Sequence, residues 1–186
     1  MSSQGPARAL FLDRDGVVNE EVGYLVHARD VRFVHGVFSL CRTAQQLGYR
    51  LVVVTNQSGI ARGYYTEEQY QELTRWMHGR LEREGVHLDA IYHAPEHPDY
   101  PATSSGRGPD WRKPGPGMLL EAQRILGLDM AASVFVGDKC TDVMAGNAAG
   151  VGKMFLLLGT ETQDCDGSFQ SVRELADVDR WLVERG

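Results

Sequence analysis

The stretch Ala9-Leu10-Phe11-Leu12-Asp13-Arg14-Asp15-Gly16 decides the fold. Four apolar residues run unbroken into two carboxylates, and a glycine follows. So short an apolar run, bounded by glycine, reads as a strand of a parallel sheet buried on both faces. Side chains alternate along a strand, so Asp13 and Asp15 point the same way from its carboxyl end, about 7 Å apart. Open α/β sheets bind ligands at that end. Like charges at this spacing repel unless a cation lies between them. Taken alone, the pair also fits an acidic turn with solvated side chains, and the residues downstream discriminate.

Working outward, the same pattern recurs. Leu51-Val52-Val53-Val54-Thr55 reads as a second buried strand, ending in Asn56-Gln57-Ser58-Gly59. Ala90-Ile91-Tyr92 reads as a short third, Ser133 to Asp138 as a fourth and Lys153 to Leu158 as a fifth. Between them lie helical patterns. Val37, Leu40, Cys41, Ala44 and Leu47 share one face before Gly48. Thr66 and Gln69 resemble a capping box that opens a helix carrying Tyr70, Leu73, Met77 and Leu81. Pro116 suits the first turn of a helix that buries Met118, Ala122, Ile125 and Leu126 and stops at Gly127. Small residues (Ala145, Gly146, Ala148, Ala149) let the next helix approach the sheet closely.

The stretch from Gly16 to about His35 reads as a loop or hairpin above the first strand's end, with room for a short strand at Val31 to Val34, and the tail from Ser168 reads as a short strand and a final helix with Trp181 and Leu182. The stretch from His93 to Lys113 is rich in proline, glycine and serine; so long an irregular segment in a compact domain is usually functional. Alternating strands and helices make this an α/β chain with a mainly parallel sheet. No insertion is long enough for a second folded unit, so one domain over residues 1–186 is expected, with 1–7 as a flexible tail and loops alone roofing the site.

Composition bounds the function. The chain has 186 residues, 42% apolar and 24% charged, values of a soluble globular protein with a sizeable core. No apolar run reaches the roughly 20 residues of a membrane span, and the first residues carry no apolar signal segment. A net charge of −6 argues against a nucleic-acid surface. Cys41, Cys140 and Cys165 are odd in number, far apart and without a Cys-x-x-Cys pair, so a reducing cytoplasm is expected. The expected partner is a small molecule, neither membrane nor nucleic acid, handled by a monomer.

The residues just past the strand ends are chemically matched. The first strand offers Asp13 and Asp15, and the second offers Thr55 and Asn56, a hydroxyl and main-chain N–H groups suited to phosphate oxygens. Arg112-Lys113 precedes the Pro116 helix, and Asp138-Lys139 follows the fourth strand. Separately, each has an ordinary use as a strand end, a solvated charge or a helix cap. Together, carboxylates with a lysine, an arginine and a hydroxyl suit a hard divalent cation and a phosphoryl group, the usual company of magnesium.

These residues resemble the four motifs of the haloacid-dehalogenase-like (HAD) phosphatases: Asp13-x-Asp15-Gly, Thr55 after an apolar strand, Lys113, and Gly137-Asp138-x-x-x-Asp142. Phe-Leu-Asp-Arg-Asp-Gly (11–16), Val-Val-Val-Thr-Asn-Gln-Ser-Gly-Ile-Ala-Arg-Gly (52–63), Arg-Lys-Pro-x-Pro-Gly-Met (112–118) and Val-Gly-Asp-Lys (136–139) resemble the subgroup acting on heptose bisphosphates, near relatives of the histidinol-phosphatases. The resemblance implies a HAD-like Rossmannoid three-layer sandwich without a separate cap domain. It also implies magnesium-dependent removal of the 7-phosphate of a D-glycero-D-manno-heptose 1,7-bisphosphate through an aspartyl-phosphate. Asp13 would be the nucleophile and Asp15 the acid and base. Magnesium would be held by Asp13, the Asp15 carbonyl and Asp138, while Thr55 and Lys113 stabilise the phosphoryl group. Glu21, Val22, Gly23, Tyr24, Asn56, Gln57, Ser58, Arg112 and Lys139 would line the substrate site, with Asp142 in support.

One departure matters. Many members of the subgroup bind zinc through Cys-x-His and Cys-x-Cys just before Arg-Lys-Pro. Here those positions are Ala94, Glu96, Pro109 and Trp111, so no structural zinc is expected. Two rivals stay open at this point. One is the same chemistry on histidinol phosphate or another small phosphomonoester. The other is a non-catalytic phosphosugar-binding module, which would most simply lack the nucleophile or the acid.

Overall fold

In a computed structural model describing residues 6–100, 107–108, 110–158 and 165–185, the opening stretch forms an inner strand of the sheet. Strands β1 (Arg8–Leu12), β2 (Tyr49–Asn56), β3 (Ala90–Ala94), β4 (Val134–Gly137), β5 (Lys153–Leu157) and β6 (Gln170–Val172) run in the order β3-β2-β1-β4-β5-β6. Every neighbouring pair is parallel. The helices are α1 (Val37–Gln46), α2 (Glu67–Arg83), α3 (Gly117–Leu126), α4 (Cys140–Ala148) and α5 (Leu175–Arg185). No described helix is long and apolar enough to cross a membrane.

Strand alternation divides the core into two layers. Leu10, Leu12, Leu51, Val53, Val134, Val136 and Phe155 pack under α1, α2 and α5. Ala9, Phe11, Val52, Val54, Phe135 and Met154 pack under α3 and α4. Covering both faces makes a three-layer α/β sandwich, which is why the inner strands read as continuous apolar runs. The chain winds from β1 to β2 and β3, then returns to β4 on β1's other side. The β1–β4 border is therefore the topological switch point, where such sheets open a crevice. Asp13 N donates to Val136 O there at 3.0 Å.

Local signals read from the sequence reappear. Thr66 and Gln69 form the reciprocal capping box, and Tyr70, Leu73, Met77 and Leu81 are the buried residues of α2. Gly127 ends α3 in the left-handed region, φ +64°. The tail forms β6 and α5.

Several expectations need correction. Residues 31–34 make no strand: Ala28–Asp30 form a 3-10 turn, and Phe33 only bridges Asn19. Glu20 N donates to Arg32 O and Val34 N to Val18 O, so the segment folds back onto the loop after β1. On α3 the buried residues are Met118, Leu119 and Ala122, and Ile125 is 55% exposed. The apolar stripe is centred nearer Leu119 than a spacing of seven from Met118 suggests, leaving Ile125 on its edge. Ala7, at the end of the expected tail, bridges Leu128.

The cysteines do not stay apart either. Cys140 and Cys165 form a disulfide with a Cα–Cα distance of 5.2 Å, and Cys41 is buried and free. The two lie 25 residues apart in sequence. The fold brings together the start of α4 and the segment returning after β5, a proximity invisible to spacing arguments.

Candidate active site

The carboxyl ends of β1, β2 and β4 surround a cavity of about 420 Å³. It is lined by Asp13, Asp15, Glu21, Gly23, Tyr24, Thr55, Asn56, Gln57, Ser58, Arg112, Lys113, Lys139 and Asp142, all expected from sequence. Asp138 and Val22 (49% exposed) are not part of the lining, though the Asp138 carboxylate lies within 4.8 Å of those of Asp13 and Asp142. Gly59, Tyr65 and Thr141 also line it and were missed. Tyr65 precedes the α2 cap and Thr141 is the second residue of α4, so proximity to an expected residue was the only signal for either.

At the floor, Asp13 follows directly on β1 and is 5% exposed. Lys113, 3% exposed, places its Nζ 2.9 Å from Asp13 Oδ1 and 2.6 Å from Asp142 Oδ1, and donates to Val54 O at 2.9 Å. Burial would lower the Lys113 pKa, but Asp13 and Asp142 outweigh it and keep the ammonium charged. Its main chain is gripped by Asn56: Nδ2 donates to Lys113 O at 2.9 Å, and Lys113 N donates to Oδ1 at 3.1 Å. Asn56 thus lines the cavity while its amide joins β2 to the Lys113 segment.

Asp142 braces this end of the sheet. Its Oδ2 accepts from Asp138 N at 3.2 Å and Lys139 N at 3.0 Å, fixing the turn between β4 and α4. Gly16 passes so near that any side chain there would strike the Asp138 carboxylate, and its φ of +92° favours glycine as well. Asp15 meets a different environment. Burial would raise its pKa, but the Arg14 guanidinium, with hydrogen bonds from Asn19 and Gln57, holds it below the usual carboxylate range.

The rim is looser. Lys139 Nζ lies 2.8 Å from Glu21 Oε2, with both side chains substantially exposed. Arg112 is half-buried, donates from Nη1 to Glu96 O at 3.0 Å, and has its pKa lowered by burial and by nearby Arg62, against the pull of Glu96. The positions of the absent zinc ligands do other work. Ala94 is buried at the end of β3, and Trp111 donates from Nε1 to His93 O at 2.8 Å. Pro109 lies outside the described residues.

The HAD-hydrolase-like family matches residues 110–176. A D-glycero-β-D-manno-heptose-1,7-bisphosphate 7-phosphatase of Yersinia pestis is 44% identical over 180 residues, covering 95% of this chain and 96% of that protein. The chain belongs to the HAD-like phosphatases. A D-glycero-α-D-manno-heptose-1,7-bisphosphate 7-phosphatase of Burkholderia mallei is 46% identical to this phosphatase over 150 residues, 81% of the chain and 79% of the relative. Among solved structures, a D,D-heptose 1,7-bisphosphate phosphatase of B. bronchiseptica, complexed with magnesium and phosphate, aligns with a TM-score of 0.79. It is 28% identical, over 96% of this chain and 99% of that one.

The phosphatase's own residues fit a divalent cation. Asp13, Asp138 and Asp142 bring ligand oxygens within 4.8 Å of one another. Asp138 Oδ1 is buried and has no hydrogen-bond partner among the described residues. Burial pushes Asp13 up to about 8, Lys113 opposing and the other carboxylates adding to it. Burial also pushes Asp138 up to about 6, Lys139 and Lys113 opposing and Asp142 adding to it. Acids crowded like this around one lysine lack positive charge, which a hard oxygen-seeking cation supplies.

Proposed function

We propose that this phosphatase removes the 7-phosphate of a D-glycero-D-manno-heptose 1,7-bisphosphate through an aspartyl-phosphate on Asp13. One arrangement carries the chemistry: a buried Asp13 paired with Lys113, Asp15 two residues further, and beside them an Asp138 oxygen with no hydrogen-bond partner among the described residues. The end-to-end likeness to heptose bisphosphate phosphatases supports the sugar.

A carboxylate oxygen of Asp13 bonds to phosphorus as the bond from phosphorus to the sugar oxygen breaks. Asp15 gives that oxygen its proton, then takes one from the water that hydrolyses the acyl phosphate. Lys113 and the Thr55 hydroxyl hold the phosphoryl oxygens through the transfer, a largely electrostatic task. Asp142 keeps Lys113 in place. Asp13, the Asp15 carbonyl and Asp138 would hold magnesium, which would offset the charge of a carboxylate meeting a phosphate. At the rim, Arg112, Lys139 and the Glu21–Tyr24 segment receive the sugar and its second phosphate.

The test is phosphate release over both heptose bisphosphate anomers, histidinol phosphate and common sugar phosphates, with magnesium. Both anomers are needed because the relatives from Yersinia pestis and Burkholderia mallei are named for different ones. The highest kcat/KM is expected on one heptose bisphosphate. A higher value on histidinol phosphate would move the enzyme to that substrate, and no release from any phosphomonoester would overturn the reading.

A further inference from the structure

The side chains behind Asp15 form a hydrogen-bond network that the chemistry above leaves unused. Arg14, 4% exposed, lies against the Asp15 carboxylate with Nε and Nη2 at 2.9–3.2 Å from its oxygens. Asn19 Nδ2 donates to Asp15 Oδ1 at 3.0 Å. Gln57, 2% exposed, donates from Nε2 to Asp15 Oδ2 and to Thr55 Oγ1, each at 2.8 Å. Its Oε1 accepts from Arg14 Nη2 at 3.1 Å and from the Tyr65 hydroxyl at 2.6 Å. This one amide therefore joins the proton-transfer carboxylate to the phosphate-facing hydroxyl.

A side-chain amide works this way in only one of its two orientations. Reversed, Gln57 would turn its oxygen on the Asp15 carboxylate and its N–H groups on the Arg14 guanidinium. Asp15, which only accepts, and Arg14, which only donates, therefore fix the orientation, and what remains to be held is the amide's position. The Tyr65 hydroxyl is a neutral donor at the shortest contact in the network. It reaches Gln57 through a gap in the chain: a side chain on Gly59 would occupy the space of the Tyr65 ring. The Thr66 cap of α2 follows immediately and fixes the main chain beside it.

We propose that Tyr65, in the space left by Gly59, is a positioning residue that holds Gln57 in place and through it Asp15. The inference rests on the reading of Asp15 as general acid. It also reassigns Gln57 from substrate binding to the support of the acid, since both ends of its amide are engaged inside the protein.

The experiment compares wild type, Tyr65→Phe, Gln57→Leu and the double variant on two substrates. One is the sugar bisphosphate, whose leaving oxygen needs a proton. The other is 4-nitrophenyl phosphate, whose leaving group departs without one. The readout is kcat/KM, which reports steps up to leaving-group departure. Tyr65→Phe keeps the ring in place and removes only the hydroxyl. It is expected to lower kcat/KM on the sugar substrate about tenfold, the scale of one lost hydrogen bond, with the aryl phosphate held within about twofold. Because Tyr65 acts through Gln57, adding Tyr65→Phe to Gln57→Leu should cost nothing further.

Asp15→Asn calibrates the comparison, with a larger loss confined to the sugar substrate. Equal losses on both substrates for Asp15→Asn would remove the acid assignment and this inference with it. A selective loss for Asp15→Asn, with Tyr65→Phe unchanged or equally impaired on both substrates, would overturn this inference alone. Additive losses in the double variant would do the same. Thermal melts on each variant separate a loss of folding from a loss of aim.

Discussion

Floor and rim of the cavity hold their charges in different ways. At the floor, Asp13, Thr55, Lys113 and Asp142 are each no more than 5% exposed. At the rim, the Lys139–Glu21 pair is open to water and Tyr24 is 48% exposed. A buried charge is tolerated only when paired and hydrogen-bonded, so each floor group is held by several others and has one position. An exposed ion pair contributes little to stability and rearranges at little cost. Rigid positions suit the phosphoryl transfer, which repeats with every substrate. Adjustable positions suit the part of the substrate that differs from one phosphosugar to another.

The largest effect that tests this contrast comes from Asp13→Asn. An amide is no useful nucleophile towards phosphorus, so phosphate release should fall to background. The same change removes one of the crowded floor carboxylates while Lys113 keeps Asp142 at 2.6 Å. The variant should therefore melt no lower than wild type in the presence of chelator, and higher if the crowding is costly. Residual turnover near the wild-type rate would remove Asp13 from the chemistry. A large fall in melting temperature would mean that the floor is held together by Asp13 rather than burdened by it.

Arg112→Ala tests the rim and is expected to be smaller and selective. Charge-assisted hydrogen bonds contribute about 1.5–3 kcal/mol, so kcat/KM on a bisphosphate should fall about 10- to 100-fold. On a monophosphate of the same sugar the loss should be a few-fold at most. Binding energy from a remote group can appear in kcat as well as KM, so both constants need measuring. Equal losses on the two substrates would move Arg112 from the rim to the floor.

The contrast also explains what could be read from sequence. Strands β1, β2 and β4 were legible because burial on both faces leaves unbroken apolar runs ending in Asp13, Thr55 and Asp138. The α2 stripe and its cap were legible because both are local. Much less so were the links between distant segments. The amides of Asn56 and Gln57 look suited to substrate, yet one grips the Lys113 main chain and the other spans Asp15, Thr55, Arg14 and Tyr65. The Cys140–Cys165 bond likewise joins segments that only the fold makes neighbours. A side chain's type announces which bonds it can make, while its partners depend on tertiary position.

The smallest predicted effect concerns how the loop carrying Arg112 and Lys113 is held, since no structural zinc is expected there. Trp111 stands at the last ligand position and is 6% exposed, inside the core layer under α3 and α4. Its ring meets Tyr92 edge-on at 6.0 Å, Arg107 lies over it at 4.4 Å, and its Nε1 donates to His93 O at 2.8 Å. These contacts tie the residue before Arg112 to β3, the strand next to β2, so the loop is joined to the sheet that carries Thr55. Trp111→Ala is a poor probe, because emptying a core position of that size costs about 3–5 kcal/mol and confuses folding with aim. Trp111→Phe keeps an aromatic ring in the core but removes the N–H together with the smaller ring of the indole. It should lower stability by about 1–3 kcal/mol, the lost hydrogen bond plus the lost volume, at roughly 2–4 °C of melting shift per kcal/mol, and lower kcat a few-fold as Lys113 is aimed less well. Metal analysis of protein purified without chelator should find no stoichiometric zinc, and magnesium alone should restore activity after chelation. Unchanged kcat with the same melting shift would make Trp111 ordinary core packing, and stoichiometric zinc would mean that the loop is held by other ligands altogether.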